Sequence, residues 1–190
     1  ILVPMRIFSC HRPDMTGAET SGGEWTDRAA EERGMKIIGD VVMDWLKYGD
    51  NRKTIVFGST IKHCEELCRQ FIESGVMAAI FTSDTTAKER EHLLKEYRKP
   101  DSYLRVLISV EALAKGFDVP DVMIGVSARP FSKSLSSHIQ QMGRVMRSNM
   151  DNPKDKPFAV WLDHSGNYLR FRDDWEDVFE NGVNDLDEGK

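Results

Sequence analysis

The sequence predicts an α/β fold in which a mainly parallel sheet carries helices on both faces. Two observations lead to this prediction. Short apolar runs alternate along the 190-residue chain with longer amphipathic segments, and glycine or proline commonly separates them. Strands that alternate with helices are joined by right-handed crossovers, which produce a parallel sheet covered on both sides. Such sheets bind ligands at the carboxyl ends of their strands, so we expect the functional residues at that edge.

Each predicted strand is a short and almost uninterrupted apolar run. The clearest example is KTIVFG at residues 53–58, whose β-branched residues are typical of a central strand in a parallel sheet. The other predicted extended segments are residues 3–8, 76–81, 105–110, 122–126 and 158–163. Because they alternate with helical segments, a single sheet is expected.

Apolar residues that recur every three or four positions predict the helices. Residues 27–48 form the first such segment, and Gly34 is a position at which it could divide into two. Its predicted buried face consists of Ile37, Ile38, Val41, Val42, Trp45 and Leu46. Residues 61–74 form the second segment, for which Gly75 is the stop signal. Its predicted apolar face consists of Ile61, Cys64, Leu67, Cys68, Phe71 and Ile72.

Further helices are predicted from signals at their ends. Thr86 and Glu89 form the capping pattern T-x-x-E, which predicts a helix that begins there and ends near residue 99. A serine-rich stretch precedes the helix that contains Arg144, and a last short helix is predicted at residues 174–179.

Length and charge restrict the class of protein. A chain of 190 residues can form one domain with a full core. The formal net charge of −5 argues against a generic basic coat for nucleic acid, although it allows binding along a narrow groove. Many of the acidic residues lie in residues 171–190, which we expect to be a solvated and partly disordered tail.

Several sequence features bear on location and metal binding. No apolar run approaches the roughly 20 residues of a membrane helix, and no signal-peptide pattern is present. The chain begins at Ile1, so we expect a piece of a longer protein. The cysteines form no CxxC pair, which indicates structural thiols in a reducing, cytoplasmic compartment. The histidines show no metal-ligand spacing, so no metal site is predicted, and His63 and His92 are expected at the surface or half-buried.

The strongest functional signal lies in residues 140–147, which read QQMGRVMR. Arg144 and Arg147 are three residues apart, so a helix places both on one face, with Gln140 one turn earlier. Guanidinium groups are permanently charged, forked donors that suit phosphate oxygens. The alternative interpretation is a pair of solvated surface arginines. Gly143 has no side chain, so we expect the helix to pack closely there.

This stretch resembles motif VI of superfamily 2 helicases and translocases, which reads Q-x-x-G-R-x-x-R. Residues 116–120, GFDVP, resemble the end of motif V of the same family. The link ARPFSKS at residues 128–134 is similar to the group of DNA helicases that includes restriction-enzyme motor subunits. The likeness covers about residues 3–168, and both motifs in order at this spacing make it specific.

The resemblance implies a three-layer RecA-like domain, the C-terminal lobe of a two-lobe motor. An N-terminal RecA-like domain of the same protein would hold ATP with Mg²⁺, and its Walker A loop and DEAD/DEAH box are absent from this sequence. Arg144 and Arg147 would be arginine fingers, with Gln140 near the γ-phosphate or the attacking water. Gly116 would permit a turn. Asp118 would accept from a ribose hydroxyl or orient the arginines, and a turn-forming aspartate is the alternative.

The resemblance also implies contacts with a nucleic-acid backbone. DNA is expected ahead of RNA because of the link at residues 128–134. The candidate contacts are Ser59, Thr60, Thr82, Ser83, Ser109 and Lys115. Hydroxyl groups and helix-start amides suit phosphate oxygens, although plain N-capping by Ser59 or Thr60 is an equal alternative. Motif V usually begins with a threonine, whereas Val110 stands at that position here, directly after Ser109.

Together these observations predict three parts. Residues 1–26 are a leading segment and loop from a preceding, absent domain, residues 27–170 are the helicase C-terminal RecA-like domain, and residues 171–190 are an acidic tail. The predicted function is the C-terminal motor domain of an ATP-dependent helicase or translocase, inactive as an isolated fragment. The alternative is a non-enzymatic nucleic-acid- or nucleotide-binding module with a degenerate helicase fold. A dinucleotide-binding enzyme is disfavoured, because no G-x-G-x-x-G follows a strand.

Overall fold

A parallel sheet forms the centre of the fold. The computed structural model describes residues 2–110 and 119–181, with side chains described up to residue 174. The strands are β1 (Met5–Ser9), β2 (Thr20–Ser21), β3 (Glu24–Trp25), β4 (Thr54–Phe57), β5 (Ala78–Ile80), β6 (Val106–Ser109), β7 (Ile124–Ser127) and β8 (Ala159–Asp163). Within the described part, six of them form one sheet in the order β1, β8, β7, β4, β6, β5. Every neighbouring pair in this sheet is parallel, which confirms the predicted fold class.

Helices connect the strands and cover the sheet. They are α1 (Asp27–Met35), α2 (Ile38–Tyr48), α3 (Ile61–Glu73), α4 (Ala87–Tyr97), α5 (Leu135–Met146) and α6 (Asn167–Asn181), with a short 3₁₀ helix at Pro153–Asp155. Thr86 and Glu89 form the predicted capping box at the start of α4. Among the described helices, none combines the length and the apolar character needed to cross a membrane.

The side chains of the central strand β4 alternate between two cores, because successive strand residues point to opposite faces. Val56 belongs to the core that contains residues of α2 and α3. Ile55 and Phe57 belong to the opposite core, together with Tyr97 of α4 and Val145 of α5. Since both faces are covered, β4 is buried along its whole length, which explains its continuous apolar run.

The predicted helix at residues 27–48 divides near Gly34, as expected. A Cβ added to Gly34 would lie 3.1 Å from the ring of His63, so α1 and α3 approach each other closely at this glycine. Leu46 and Ile72 are each 48% exposed, so their predicted places on buried helix faces are wrong. Each directly follows a buried aromatic residue, and one residue turns about 100° around a helix, which moves them away from the core.

The chain after β8 is helical from Asn167, earlier than the predicted start at residue 174. The carboxylate of Asp163 fixes this start, since it accepts hydrogen bonds from the backbone N–H groups of Gly166 and Tyr168, each at 3.0 Å. These donors have no partner within a helix and need one from outside. Residues 171–181, expected as part of a tail, therefore belong to α6.

The leading segment is part of the sheet. Strand β1 pairs with β8, with Met5 opposite Ala159 and Ser9 opposite Asp163. The glycine-rich loop that follows contains the two-stranded hairpin β2–β3, in which Ser21 pairs with Glu24. The boundaries of the three predicted parts stay a prediction.

Candidate nucleotide and nucleic-acid site

Helix α5 runs from the carboxyl edge of the sheet toward its amino edge. Its 12 residues span about 18 Å, whereas the 4 residues of the preceding strand β7 span about 13 Å. The carbonyl of Met146, the last residue of α5, accepts a hydrogen bond from Val3 N at 2.8 Å, and Arg147 pairs with Leu2 before β1 begins. The expectation that all functional residues lie at the carboxyl edge is therefore wrong for Arg144 and Arg147, because they come at the far end of a helix antiparallel to the strands.

The outer face of α5, formed by Gln140, Gly143, Arg144 and Arg147, is open. Gln140 and Arg147 are exposed, and Arg144 is half-buried. A Cβ added to Gly143 would meet no atom of the described residues within 4 Å, so the expected close packing at this glycine is wrong within the described part of the domain. The opposite face of the helix, which includes Val145, is buried in the core. The structure thus brings the predicted motif VI residues together on one accessible surface.

Arg144 is a half-buried cation without an anionic partner among the described residues. Its guanidinium makes no hydrogen bond or ion pair within the part of the chain that the structure describes. Burial, and next the positive charge of Arg147, lower the pKa of Arg144. Arg147 is the first residue beyond the helix, with extended backbone angles of φ −61° and ψ 134°. Two cations held close together favour an anionic ligand. Its negative charge would offset both the cost of burying the Arg144 guanidinium and its repulsion from Arg147.

The loop at residues 128–134 positions the start of α5 and is held from two sides. On one side, Asn167 accepts from Phe131 N at 2.7 Å and donates to the carbonyl of Arg129 at 2.8 Å. On the other, the carboxylate of Glu24 in the hairpin accepts from Ser132 N at 2.6 Å. Neither Glu24 nor Asn167 was predicted from the sequence, because their partners are distant in the chain.

The contacts of Arg129 were also not predicted from the sequence. Its guanidinium donates to the carbonyl of Ser59 at 3.1 Å and to the carboxylate of Asp27 at 2.6 Å. It therefore joins the loop after β7 to the loop after β4. The signal available in the sequence was its position between a buried strand and the helix that carries the motif VI arginines.

The candidate nucleic-acid residues come together at the carboxyl ends of β4, β6 and β5, which are neighbours in the sheet. We call this edge the hydroxyl rim; its described residues are Ser59, Thr60, Thr82, Ser83 and Ser109. Ser83 is exposed and Thr60 is half-buried, whereas Ser59, Thr82 and Ser109 are buried. Most of these hydroxyl groups are therefore not at the surface in this arrangement of the chain.

The hydroxyl rim also has a structural role. Thr60 caps α3, since its side chain accepts from His63 N at 3.1 Å and bonds to Glu31. Ser59 N donates to the ring nitrogen Nδ1 of His63 at 3.0 Å, while the buried Ser59 hydroxyl has no partner among the described residues. The N-capping interpretation is confirmed for Thr60, and the nucleic-acid contacts stay a prediction.

His63 is buried, with 1% of its surface exposed, so its predicted surface or half-buried position is wrong. Its ring lies beneath Gly34 and accepts from the loop after β4, and burial lowers its pKa to about 4. Three further predicted site residues, Lys115, Gly116 and Asp118, lie outside the described residues.

Comparisons with known proteins identify the family to which this chain belongs. Residues 36–149 match the helicase conserved C-terminal domain. A 51.5 kDa protein of a Lactococcus phage is 27% identical over 187 residues, which is 95% of this chain and 40% of that protein. The ATP-dependent DNA helicase Q-like 2 of Arabidopsis thaliana is 27% identical over 117 residues, 60% of this chain and 16% of that protein.

A solved fragment of a type I restriction enzyme HsdR subunit from Vibrio vulnificus has the same fold, with a TM-score of 0.69 and 21% sequence identity. The likeness covers 96% of this chain and 35% of that one. The chain thus spans less than half the length of these curated relatives. Because the family match covers more than half of its residues, the chain belongs to the helicase conserved C-terminal domain family and is a RecA-like domain of the superfamily 2 helicases.

Proposed function

We propose that this chain is the second motor lobe of an ATP-dependent helicase or translocase. Its outer α5 face would complete an ATP site shared with an N-terminal RecA-like domain of the same protein. The observation that carries the proposal is Arg144, a half-buried guanidinium that lacks an anionic partner among the described residues and lies beside a second arginine. A triphosphate provides the oxygens that forked donors of this kind bind best.

The residues of the outer face fit the terminal phosphates of a nucleotide. Gln140 offers an exposed amide, and the open surface at Gly143 allows another domain to approach the backbone. The face offers cations but no carboxylate, so Mg²⁺ would be held mainly by the N-terminal domain. Bound ATP supplies free energy for movement along nucleic acid. Arg144 and Arg147 would act as arginine fingers that hold positive charge where phosphate charge develops, with Gln140 beside them.

The hydroxyl rim is the proposed contact with the nucleic-acid backbone. Ser83 and Thr60 are within reach of a strand from solvent, and the start of α3 offers backbone N–H groups beside Thr60. Ser59, Thr82 and Ser109 are buried, so they would contribute only after local rearrangement. Lys115 retains its proposed phosphate contact, and Gly116 and Asp118 retain their proposed roles near the nucleotide. DNA is preferred because of the likeness of residues 128–134 to DNA-acting motors.

The test is ATP hydrolysis by the intact protein with both lobes, measured alone, with single-stranded DNA and with RNA. We expect stimulation by DNA, and loss of roughly 10³-fold or more in kcat for Arg144→Ala with ATP binding retained. Arg28→Ala is the matched control, since Arg28 is exposed on α1 and pairs only with its helix neighbour Glu32 among the described residues.

Near-normal turnover of Arg144→Ala would exclude the arginine-finger role. Failure of the folded, intact wild-type protein to hydrolyse ATP under any condition would instead favour the non-enzymatic binding module. Stimulation by RNA but not by DNA would keep the motor function and reverse the proposed preference.

A further inference from the structure

Three potential metal ligands meet at the carboxyl edge of the sheet, on the side of β1 and β8. Cys10 follows β1, Asp44 lies in α2 and His164 follows β8. Their ligand atoms, the Cys10 Sγ, an Asp44 carboxylate oxygen and a ring nitrogen of His164, all lie within 4.8 Å of one another. The cluster is separate from the outer α5 face and from the hydroxyl rim.

The ring of His164 is oriented as in a metal ligand. Its Nδ1 lies 2.6 Å from the carbonyl oxygen of His11, and a carbonyl can only accept, so Nδ1 carries the proton. Nε2 is then a bare acceptor, and it is buried without a hydrogen-bond partner among the described residues. Metal-bound histidines characteristically donate their other ring N–H to a carbonyl or carboxylate in this way.

The atom that Nε2 faces is also an acceptor. Asp44 Oδ2 lies 3.3 Å from His164 Nε2. The contact is not a hydrogen bond, and His164 Nε2 stays without a partner among the described residues. A cation bound to both atoms would satisfy the buried Nε2 and the Asp44 carboxylate together. Because His164 has no exposed side-chain surface, leaving Nε2 without a partner costs free energy.

The surrounding charge is negative. Asp40 lies one helical turn before Asp44, with its carboxylate 3.9 Å from the Nε2 of His11. A bound divalent ion would neutralise part of this charge, and it would displace the proton of the Cys10 thiol, because a coordinating thiol is deprotonated.

We propose that Cys10, Asp44 and His164 form a binding site for Zn²⁺ or a similar divalent transition-metal ion. Sulfur, imidazole and carboxylate ligands are the set that Zn²⁺ accepts in tetrahedral sites. With bonds of about 2.0–2.1 Å to nitrogen and oxygen, tetrahedral geometry separates these two ligands by about 3.3 Å. The observed separation of His164 Nε2 and Asp44 Oδ2 is 3.3 Å.

Binding forms the bond between the metal and Cys10 Sγ, and the thiol proton passes to solvent. The fourth position is left for water or another group on the solvent side, where Cys10 and Asp44 are half-buried. The ion would tie the chain after β1 to α2 and to the loop after β8. Asn167 in the same region accepts a hydrogen bond from the loop before α5. A bound ion would therefore make the start of α5 more rigid.

The experiment titrates metal-free intact protein with Co²⁺ alone and, separately, with Zn²⁺ alone. We expect about one Co²⁺ per molecule, with thiolate-to-cobalt charge-transfer absorption in the near ultraviolet, and displacement of Co²⁺ by Zn²⁺. Cys10→Ser and Asp44→Asn should each weaken binding by more than the roughly 10–100-fold that loss of an outer-shell partner costs. Cys68→Ser is the control, because Cys68 is half-buried and contacts the carbonyl of Ala78 instead.

A second measurement needs no variant. In the wild-type protein, Zn²⁺ should protect Cys10, but not Cys68, from a thiol-alkylating reagent, as mapped by mass spectrometry of peptides. Absence of saturable Co²⁺ binding, a charge-transfer band that persists in folded Cys10→Ser, or equal alkylation of Cys10 with and without Zn²⁺ would each overturn the site. None of these outcomes depends on ATP hydrolysis, so the site and the proposed function can fail separately.

Discussion

The two faces of helix α5 differ in how their polar groups are satisfied. On the inner face, His138 is completely buried against the rings of Trp161 and Phe171, at centroid distances of 6.2 and 5.7 Å. Neither of its ring nitrogens has a hydrogen-bond partner among the described residues, and the same holds for Oε1 of the buried Gln141. On the outer face, Gln140 and Arg147 are exposed to solvent.

This difference separates stability from function within one helix. The inner polar groups lose water without a full set of partners, which costs free energy of folding. The outer groups keep much of their hydration in the isolated domain and stay available to a ligand or another domain. We therefore expect substitutions on the inner face to change stability and those on the outer face to change activity.

After Arg144→Ala, the largest expected effect is that of a substitution at Gly143 on the outer face. Gly143→Leu should leave the free energy of unfolding of the domain unchanged or raise it, because the site is open and leucine favours helices over glycine. In the intact protein, a leucine at a closed interface would clash by about 1–3 kcal/mol, so kcat should fall by about 5–150-fold. Urea denaturation and ATPase assays on the same preparation check both parts. Loss of stability together with activity would contradict an open outer face.

A pH-dependent effect tests the inner face. Burial lowers the pKa of His138, and likewise that of His63, from the usual 6.5 to about 4. Between these values the unfolded chain binds more protons, so stability is full above about pH 6.5 and falls as the pH drops toward 4. Each histidine contributes a slope of up to about 1.4 kcal/mol per pH unit.

His138→Phe should remove one of these contributions and keep the ring contacts with Trp161 and Phe171. The control is His92→Gln, since His92 is exposed on α4. Unfolding free energies measured at pH 7 and pH 5 should differ less in His138→Phe than in the wild type or the control. An unchanged pH dependence would show that His138 is not buried in its neutral form.

The smallest expected effect compares adjacent residues on the two faces. Gln141→Met removes a buried oxygen without a described partner at similar volume, so it should stabilise the domain by about 1 kcal/mol. Gln140→Met, one position earlier on the exposed face, should change stability by less than about 0.5 kcal/mol. Equal shifts in the urea midpoint for both variants would remove the distinction between the faces.

Local sequence patterns predicted the regular elements well. The run at residues 53–58 became β4, and the capping box at Thr86 started α4, because both signals act within a few residues. Leu46 shows the limit of this approach, since a helix pattern identifies a face but not the width of its contact with the core. The buried state of His63 depends on Gly34 of another helix, which no local pattern contains.

The candidate site was predicted in part for the same reason. Motif VI predicted Gln140, Gly143 and Arg144 on one helix face, because helical periodicity is a local property. The prediction is wrong for Arg147, which follows the helix in an extended conformation. The motif did not predict that Arg147 lies at the amino edge of the sheet. That position results from the antiparallel direction of α5 and from the pairing of Arg147 with Leu2. Contacts made by Arg129 and Glu24 were missed because each joins segments from distant parts of the chain.

The sequence by itself determined the α/β class, the order of the main-sheet strands and of the helices, and the shared helix face of Gln140 and Arg144, since each depends on the spacing of neighbouring residues. The tertiary structure decided which elements are adjacent. Pairing of β1 with β8 brings Cys10 beside His164, and the packing of α2 adds Asp44. Histidine and cysteine spacing in the sequence predicted no metal site, because ligands on three separate elements meet only once the sheet order is established.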